Sequence, residues 1–443
     1  MTKNTTNKKR ITLIIISIFL LAFVSGCAEF EVAEEGSQQQ KPTTIDGCLK
    51  AALYPDADAI VEANAQGQSP NDKILYLFDK GSVQQIMGNY KESTKYLHQA
   101  EDLIDTLYTK SVTAEVSSFL TNDLALPYEG EDFEQVMVNV VKALNYMYQG
   151  DFNGARVEVK KTNNRLLQIS DKMEGKNEYK EDAFARYISA FCYEANGELN
   201  DAYIDYKKSL EAYEQYNANY GIPVSDVIKK DLLRLSESLH FSEQYDAYKE
   251  KFGFMPYTKQ ADMNGKGEVL LVIYDGQAPD KLDNEEATPY FKDKGSYVTS
   301  VEVTTEEDNR YTSYVSEDIT QIAIKNLAQK MDLIQAKNLA RGVVKEVVGE
   351  VAKQGLKEVL KNVPFGEFFG NAVVDAVKKD SEKADIRSWK TLPGRFQLVR
   401  FPVSGTQLVK IKMNMKDGSQ REKIIKVKLK AGAKKAIPVY CFQ

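Results

Sequence analysis

Apolar and polar positions along the first half of the chain repeat one pattern three times. The segments are YLFDKGSVQQIMGNYKESTKYLHQAEDL (76–103), VVKALNYMYQGDFNGARVEVKKTNNRL (140–166) and ARYISAFCYEANGELNDAYIDYKKSLEA (185–212). They align on Gly88, Gly150 and Gly197. Small residues stand seven positions earlier (Gly81, Ala143, Ala190) and five later (Ser93, Ala155, Ala202), and Tyr90, Phe152 and Leu199 stand two later. Nine later come Leu97, Val159 and Tyr206, and twelve later Ala100, Thr162 and Ser209. Steps of four and three put the last three columns on one helix face. Each segment therefore predicts a helix hairpin. The glycine ends the first helix in the left-handed conformation, and the small residues let the two backbones approach. A further helical pair is predicted over 225–251.

The period changes at the connector around 253–266, where Gly253, Pro256, Asn264 and Gly265 break the helical pattern. EVLLVIYDG (268–276) is a β-rich run closed by Asp-Gly and reads as a buried strand. SYVTSVEVTT (296–305), RFQLVRFPV (395–403), TQLVKIKMNM (406–415), EKIIKVKLKAG (422–432) and AIPVYCF (436–442) supply further strands. Val409, Ile411 and Met413 alternate with Leu408, Lys410 and Lys412, and the Asp417-Gly418 pair marks a hairpin turn. A small antiparallel sheet with one wet face follows. A helical insertion is expected at about 316–379, with Ser316, Glu317 and Asp318 as its capped start. Within it, Val343/Val344, Val347/Val348 and Val351/Ala352 form an apolar stripe, and Pro364 and Gly366 divide a hairpin over 343–379. That hairpin either folds over the sheet or meets a membrane or partner.

The hairpin pattern resembles the tetratricopeptide (TPR) repeat. Tandem TPRs recur about every 34 residues, whereas the three glycines here are 62 and 47 apart, with an insertion at 108–133 between the first two units. The expected fold class is thus a TPR-like α-helical array, compact and irregular, followed by a smaller α+β domain with an antiparallel sheet and an inserted helical hairpin. Such arrays expose grooves that bind peptides or partner proteins; the alternative reading is that the helices only fill a core.

The amino terminus has its own pattern. Lys3, Lys8, Lys9 and Arg10 precede an apolar run from Ile11 to Val24, which ends in Ser25, Gly26 and Cys27. A basic head, a short greasy core and small residues at the end describe a secretory signal peptide, too short to serve as a transmembrane helix. VSGC resembles the bacterial lipobox, which implies acylation of Cys27 and cleavage just before it. Two or three acyl chains would fasten the mature protein firmly to a bilayer. Ala28, in place of Asp, resembles the outer-membrane address of Gram-negative lipoproteins. The expected organisation is a signal peptide at 1–26, a flexible tether at 27–44, helical domain at 45–252, linker at 253–266 and α+β domain at 267–443.

Charge and chemistry narrow the function classes. The 443-residue precursor carries a net charge of -6, and loss of four positives with the signal peptide takes it to about -10. That balance argues against a nucleic-acid partner and against adhesion to anionic lipid through a basic face. After Cys27, the remaining cysteines are Cys48, Cys192 and Cys441. Their odd number leaves a Cys48–Cys441 bridge open but forbids complete pairing. With two histidines, His98 and His240, and no nucleophile elbow, HExxH, phosphate loop or calcium loop, the sequence states no enzymatic mechanism. Neither a metal nor a cofactor is expected.

Four stretches resemble a family of uncharacterised Gram-negative lipoproteins with a TPR-like first half: LPYEGEDFEQVMVNVVKALNYMYQGDFNGARVEVKKTNNRL (126–166), GEVLLVIYDGQAPDK (267–281), NLARGVVK (338–345) and ADIRSWKTLPGRFQLVRFPVSGT (384–406). The resemblance implies an exported, lipid-anchored protein of unassigned activity; with the lipobox, the expected location is the cell envelope, at the outer membrane and facing the periplasm. Within these stretches, Tyr128 and Glu131 are candidates either for partner recognition or for locking the turn before a helix. Arg387 and Trp389, the only Trp, lie two apart and share one side if extended. They are candidates for a partner-binding anchor or for sealing the core. The expected function is a lipid-anchored scaffold that binds an envelope protein through its helical array. The alternative is a structural subunit of an outer-membrane export or surface-polymer assembly.

Overall fold

The computed structural model describes residues 41–111, 123–173, 177–284, 288–351 and 383–442. Cys27 and residues 352–382, the latter most of the expected 343–379 hairpin, lie outside them. The helical half begins with α1 (Ile45–Lys50) and α2 (Tyr54–Gly67), followed by α3 (Lys73–Ile86) and α4 (Tyr90–Ser111). Next come α5 (Asp132–Tyr148) with α6 (Phe152–Lys172), α7 (Ala183–Ala195) with α8 (Leu199–Tyr220), and α9 (Asp226–Ser238) with α10 (Ser242–Phe252). The turns of the first three long hairpins fall at Gly88, Gly150 and Gly197, with φ of 81°, 79° and 77°. The fourth turn, between α9 and α10, uses His240 at φ 59°. The six aligned columns behave as the spacing predicts where helices meet. Ser93, Ala155, Ala202, Leu97, Tyr206, Ala100, Thr162 and Ser209 are all 0% exposed. A Cβ on Gly81 would come within 2.7 Å of Leu97, so that crossing requires a residue without one. The helical half is therefore a TPR-like array of stacked hairpins.

Three β assemblies follow. The first sheet has the order β10-β1-β7-β6, built from β1 (Gly267–Asp275), β6 (Tyr314–Asp318), β7 (Arg395–Val403) and β10 (Lys434–Cys441). The second has the order β5-β4-β8-β9, from β4 (Val298–Thr304), β5 (Arg310–Thr312), β8 (Thr406–Met415) and β9 (Gln420–Lys428). A ribbon pairs β2 (Asp280–Asp283) with β3 (Pro289–Lys292). Most pairings are antiparallel as expected, but β1 and β10 run parallel, Leu271 opposite Ile437. The cause is topological. β9 ends in the second sheet, and the chain then crosses back to the first, entering it in the direction of β1.

β1 is buried along its whole length, which explains its unbroken apolar run. Leu270, Val272 and Tyr274 join the core shared with the helices, whereas Val269, Leu271 and Ile273 join the core shared with the second sheet. The layers thus stack as helices, first sheet, second sheet, and residues 42–443 form one compact unit. The connector at 253–266 joins two of these layers, and its short 3₁₀ turn at Gln260–Met263 is tied to α9 by Arg234.

Two local expectations are corrected. Ser316 and Glu317 do not belong to the helix start, although Asp318 caps the helix as expected. All three residues end strand β6, and Asp318 there pairs with Arg395 of β7. The helix α11 (Ile319–Val351) starts one residue later, with the Asp318 carboxylate accepting the Gln321 N–H at 3.0 Å. All three residues belong to a strand that pairs with a buried neighbour, and Asp318 alone also serves as the cap, so strand end and helix start share one residue. Nor does a disulfide join Cys48 and Cys441. The Cys48 thiol lies 3.5 Å from the Pro42 carbonyl, and Cys441 contacts the Met413 sulfur at 3.4 Å. Among the described residues, no helix is long and apolar enough to cross a membrane.

Candidate functional site

The structure brings Tyr128, Glu131, Arg387 and Trp389 into one cluster, and places it inside the molecule. Segment 384–391 runs as a strap across α3 and the loop before α5. The Trp389 ring stacks on Phe78 at 4.2 Å between centroids and is 1% exposed. Its indole N–H donates to Ser82 Oγ at 2.9 Å, and its backbone N–H donates to Glu134 Oε1 at 2.6 Å. The other oxygen of Glu134 accepts the Tyr128 hydroxyl at 2.5 Å and the Glu131 N–H at 2.9 Å. Arg387 lies over the Tyr128 ring at 5.1 Å. It donates to Asp385 Oδ2 at 2.7 Å, to Asp72 at 3.1 Å and to the Asp123 and Leu126 carbonyls at 2.8 and 3.1 Å. Glu131 forms an ion pair with Lys281 and lies 3.7 Å from Lys330.

The surface-recognition reading of these four residues gives way to a lock between strap, loop and helix. Tyr128 is 4% exposed, and the donors and acceptors of the cluster are used internally. Burial raises the Glu131 carboxyl, but Lys281 and Lys330 outweigh that and hold it at about 2. Burial and the Glu131 charge push Glu134 up to about 7 against the pull of its three donors. Glu134 is the hub, and sequence reasoning missed it. Its one sequence signal is its place three residues after Glu131, as in a capping box.

A second polar cluster ties the layers together elsewhere. Arg400 of β7 reaches Glu194 of α7 at 2.9 Å, Asp231 of α9 at 3.0 Å and Glu268 of β1 at 2.7 Å. Arg234 of α9 joins at 2.8 Å from both Glu194 and Asp231, and Lys434 of β10 at 3.1 Å from Glu194. Burial disfavours the Glu268 charge, but Arg400 and Lys434 hold its carboxyl at about 2. A cleft of about 540 Å³ opens beside Glu194, Glu268 and Lys434. These ions compensate one another, so the cluster is built to bind layer to layer. A polar cleft of about 850 Å³ lies between α1, α3 and the β3–β4 connection. There burial pushes Asp79 up to about 6 while Thr391 donates to it at 2.8 Å. Elsewhere, burial raises the Glu317 carboxyl well above its usual range, close to Asp182, among the hydroxyls of Tyr179, Tyr213 and Tyr216. Among the described residues no group of three or more His, Cys, Asp or Glu side chains is arranged to hold a metal ion.

The leading helices of the hairpins turn their shared face onto the first sheet. Phe184 of α7 stacks on Phe396 of β7 at 4.9 Å. The Tyr148 and Tyr274 hydroxyls meet at 2.9 Å, and Tyr440 donates to the Gln85 carbonyl at 3.2 Å. The surface through which stacked hairpins grip ligands is therefore filled here by the chain's own sheet. The trailing helices keep exposed apolar groups, with Val157 and Leu167 of α6 exposed at 55% and 63% and Ile204 of α8 at 41%.

No family model matches the chain, and no curated protein matches it. Among solved structures it is similar to nearly identical TPR-like repeats from Podosopora anserina, with 12% identity, 48% of this chain and 94% of that one covered, and a TM-score of 0.29. MamA MSR-1 is 13% identical over 47% of this chain and 89% of that one, with a TM-score of 0.26. The Rap conjugation gene regulator of plasmid pLS20, in complex with the Phr* peptide, is 12% identical over 57% of this chain and 66% of that one, with a TM-score of 0.28. At these scores nothing of those proteins' activities transfers to this chain.

Proposed function

We propose that this chain is a lipid-anchored docking scaffold of the bacterial cell envelope, fastened at Cys27 to the outer membrane and facing the periplasm, with an envelope protein as its partner. The basic head, apolar core and VSGC sequence support the anchor. The observation that carries the scaffold reading is a TPR-like array whose gripping face is backed by its own sheet. An array stiffened in this way presents its trailing helices as a fixed outer surface. The partner docks there, on the side of α6 and α8 that exposes Leu167 and Ile204, and not in the customary groove.

Two measurements in cells test the reading. Labelling with a fatty-acid analogue should mark the wild-type protein, and Cys27→Ser should abolish the mark. Photocrosslinkers placed at Leu167 and Ile204 should trap one defined envelope protein, while crosslinkers at the buried Trp389 should not. Labelling that survives Cys27→Ser ends the anchor reading, and recovery of no discrete adduct from either outer position ends the docking reading.

A further inference from the structure

The net charge of -6 averages over a sharp segregation. Residues 406–435 hold ten Lys or Arg against two acidic residues. They form the β8–β9 hairpin and the start of β10. Lys434 is spent on the buried ion cluster and Lys410 pairs with Glu422 at 2.8 Å. The other eight cations make no ion pair with a described residue.

Strand register arranges part of this charge on one plane. On the outward face of the second sheet, Leu408 stands opposite Lys426, Lys410 opposite Ile424, and Thr406 opposite Lys428. Leu408 and Ile424 are 50% and 66% exposed. Two aliphatic side chains thus sit on the diagonal of a square whose other corners are Lys410, paired with Glu422, and Lys426. The Glu306 carboxylate accepts the Leu408 N–H at 2.7 Å, so Lys426 and Lys428 carry the open positive charge beside the two aliphatic groups. The alternate residues Val409, Ile411 and Val427 already supply the inner core, so packing does not require apolar groups on the outside. Protection of an edge strand accounts for lysines on β9, but not for aliphatic groups beside them. Neither described cleft includes this face. As the flat side of a sheet it suits a flat ligand.

We propose that the outer face of β8 and β9 is a docking surface for an anionic lipid bilayer. The lysine heads reach phosphate-bearing headgroups while Leu408 and Ile424 enter the interface between headgroups and acyl chains. An acyl chain together with a basic patch forms a two-part attachment, so this face would hold the body of a tethered protein against the membrane. The two-part attachment rests on the anchor proposed above, whereas the binding of this face to lipid is tested separately, on a chain with neither acyl group nor partner.

The test uses the chain from residue 28 onward, which includes the whole compact unit 42–443 and lacks Cys27. Co-sedimentation is measured with vesicles of phosphatidylcholine alone and with about 30% phosphatidylglycerol added. Each lysine near an anionic surface contributes about fivefold to partition. Lys426→Gln with Lys428→Gln should therefore lower partition onto the anionic vesicles by about 25-fold. Raising salt should weaken binding. Leu408→Ser with Ile424→Ser should weaken it several-fold while leaving the salt dependence in place. All four side chains face solvent, and circular dichroism verifies that each variant is folded. Equal binding to both vesicle types overturns the proposal, as does binding unmoved by the lysine substitutions. Retention on immobilised polyglutamate without vesicle binding also overturns it, in favour of an acidic polypeptide partner.

Discussion

Arg400 shows how much depends on one side chain. It lies within 3.0 Å of three buried carboxylates drawn from two helices and a strand. Arg400→Met keeps the bulk but leaves those charges with fewer cations, and a broken buried ion pair costs about 3–5 kcal/mol. Urea denaturation of the chain from residue 28 should show a loss of that size. Asp182 gives a pH test of opposite character. It caps α7 by accepting the Ala185 N–H at 2.6 Å and takes the Tyr179 hydroxyl at 2.7 Å. Burial pushes its carboxyl from 3.8 up to about 6. A raised carboxyl stabilises the fold below its unfolded value and loses that contribution as pH rises through the folded one. Between pH 5 and pH 8 the wild type should therefore lose about 1 kcal/mol through this group. Asp182→Asn keeps the cap, can donate to Tyr179 in turn, and should flatten that part of the stability profile in urea titrations at the two pH values.

Among elements, the helix hairpins were the most legible in sequence, because their determinants are local. A glycine in the left-handed region and a small residue at a helix crossing leave marks within about twenty residues of one another. Gly197 sits at φ 77° with open space around the place of a Cβ. Gly197→Ala should therefore cost about 1 kcal/mol, through backbone conformation alone. Gly81→Ala would drive a methyl group into Leu97 and should cost about 1–3 kcal/mol through overpacking. Thermal unfolding of the two variants checks both the order and the separate causes, since Leu97→Ala should relieve only the second. Strands were legible by alternation, including the β8–β9 hairpin turn at Asp417 and Gly418. Ser316–Asp318 were legible only in part: Asp318 caps α11 as its local pattern predicts, but only the partner strand β7 draws all three residues into β6.

At the scale of the molecule, the face that a TPR-like array would leave open is covered by its own sheet. A fragment ending at residue 252 should therefore expose Phe78, Phe184 and the sheet-facing tyrosines. Such a fragment is expected to bind a hydrophobic dye strongly and to lose cooperative unfolding, whereas the chain from residue 28 should do neither. A cooperative, dye-silent fragment would mean that the array is stable without its sheet. The resemblance marked out the strap at 384–391 and the loop before α5, but only the fold showed that Trp389 meets Phe78 and Glu134 in the interior. By itself the sequence determined the hairpins, the strand segments and the segregation of charge into residues 406–435, since each is written in neighbouring positions. Tertiary structure alone decided that β10 runs parallel to β1, that the four candidate residues face inward, and that Arg400 joins carboxylates from positions 194, 231 and 268. Those outcomes depend on which distant surfaces exclude water together, and hydrophobic burial has a magnitude that the chain specifies but a partner that only packing selects.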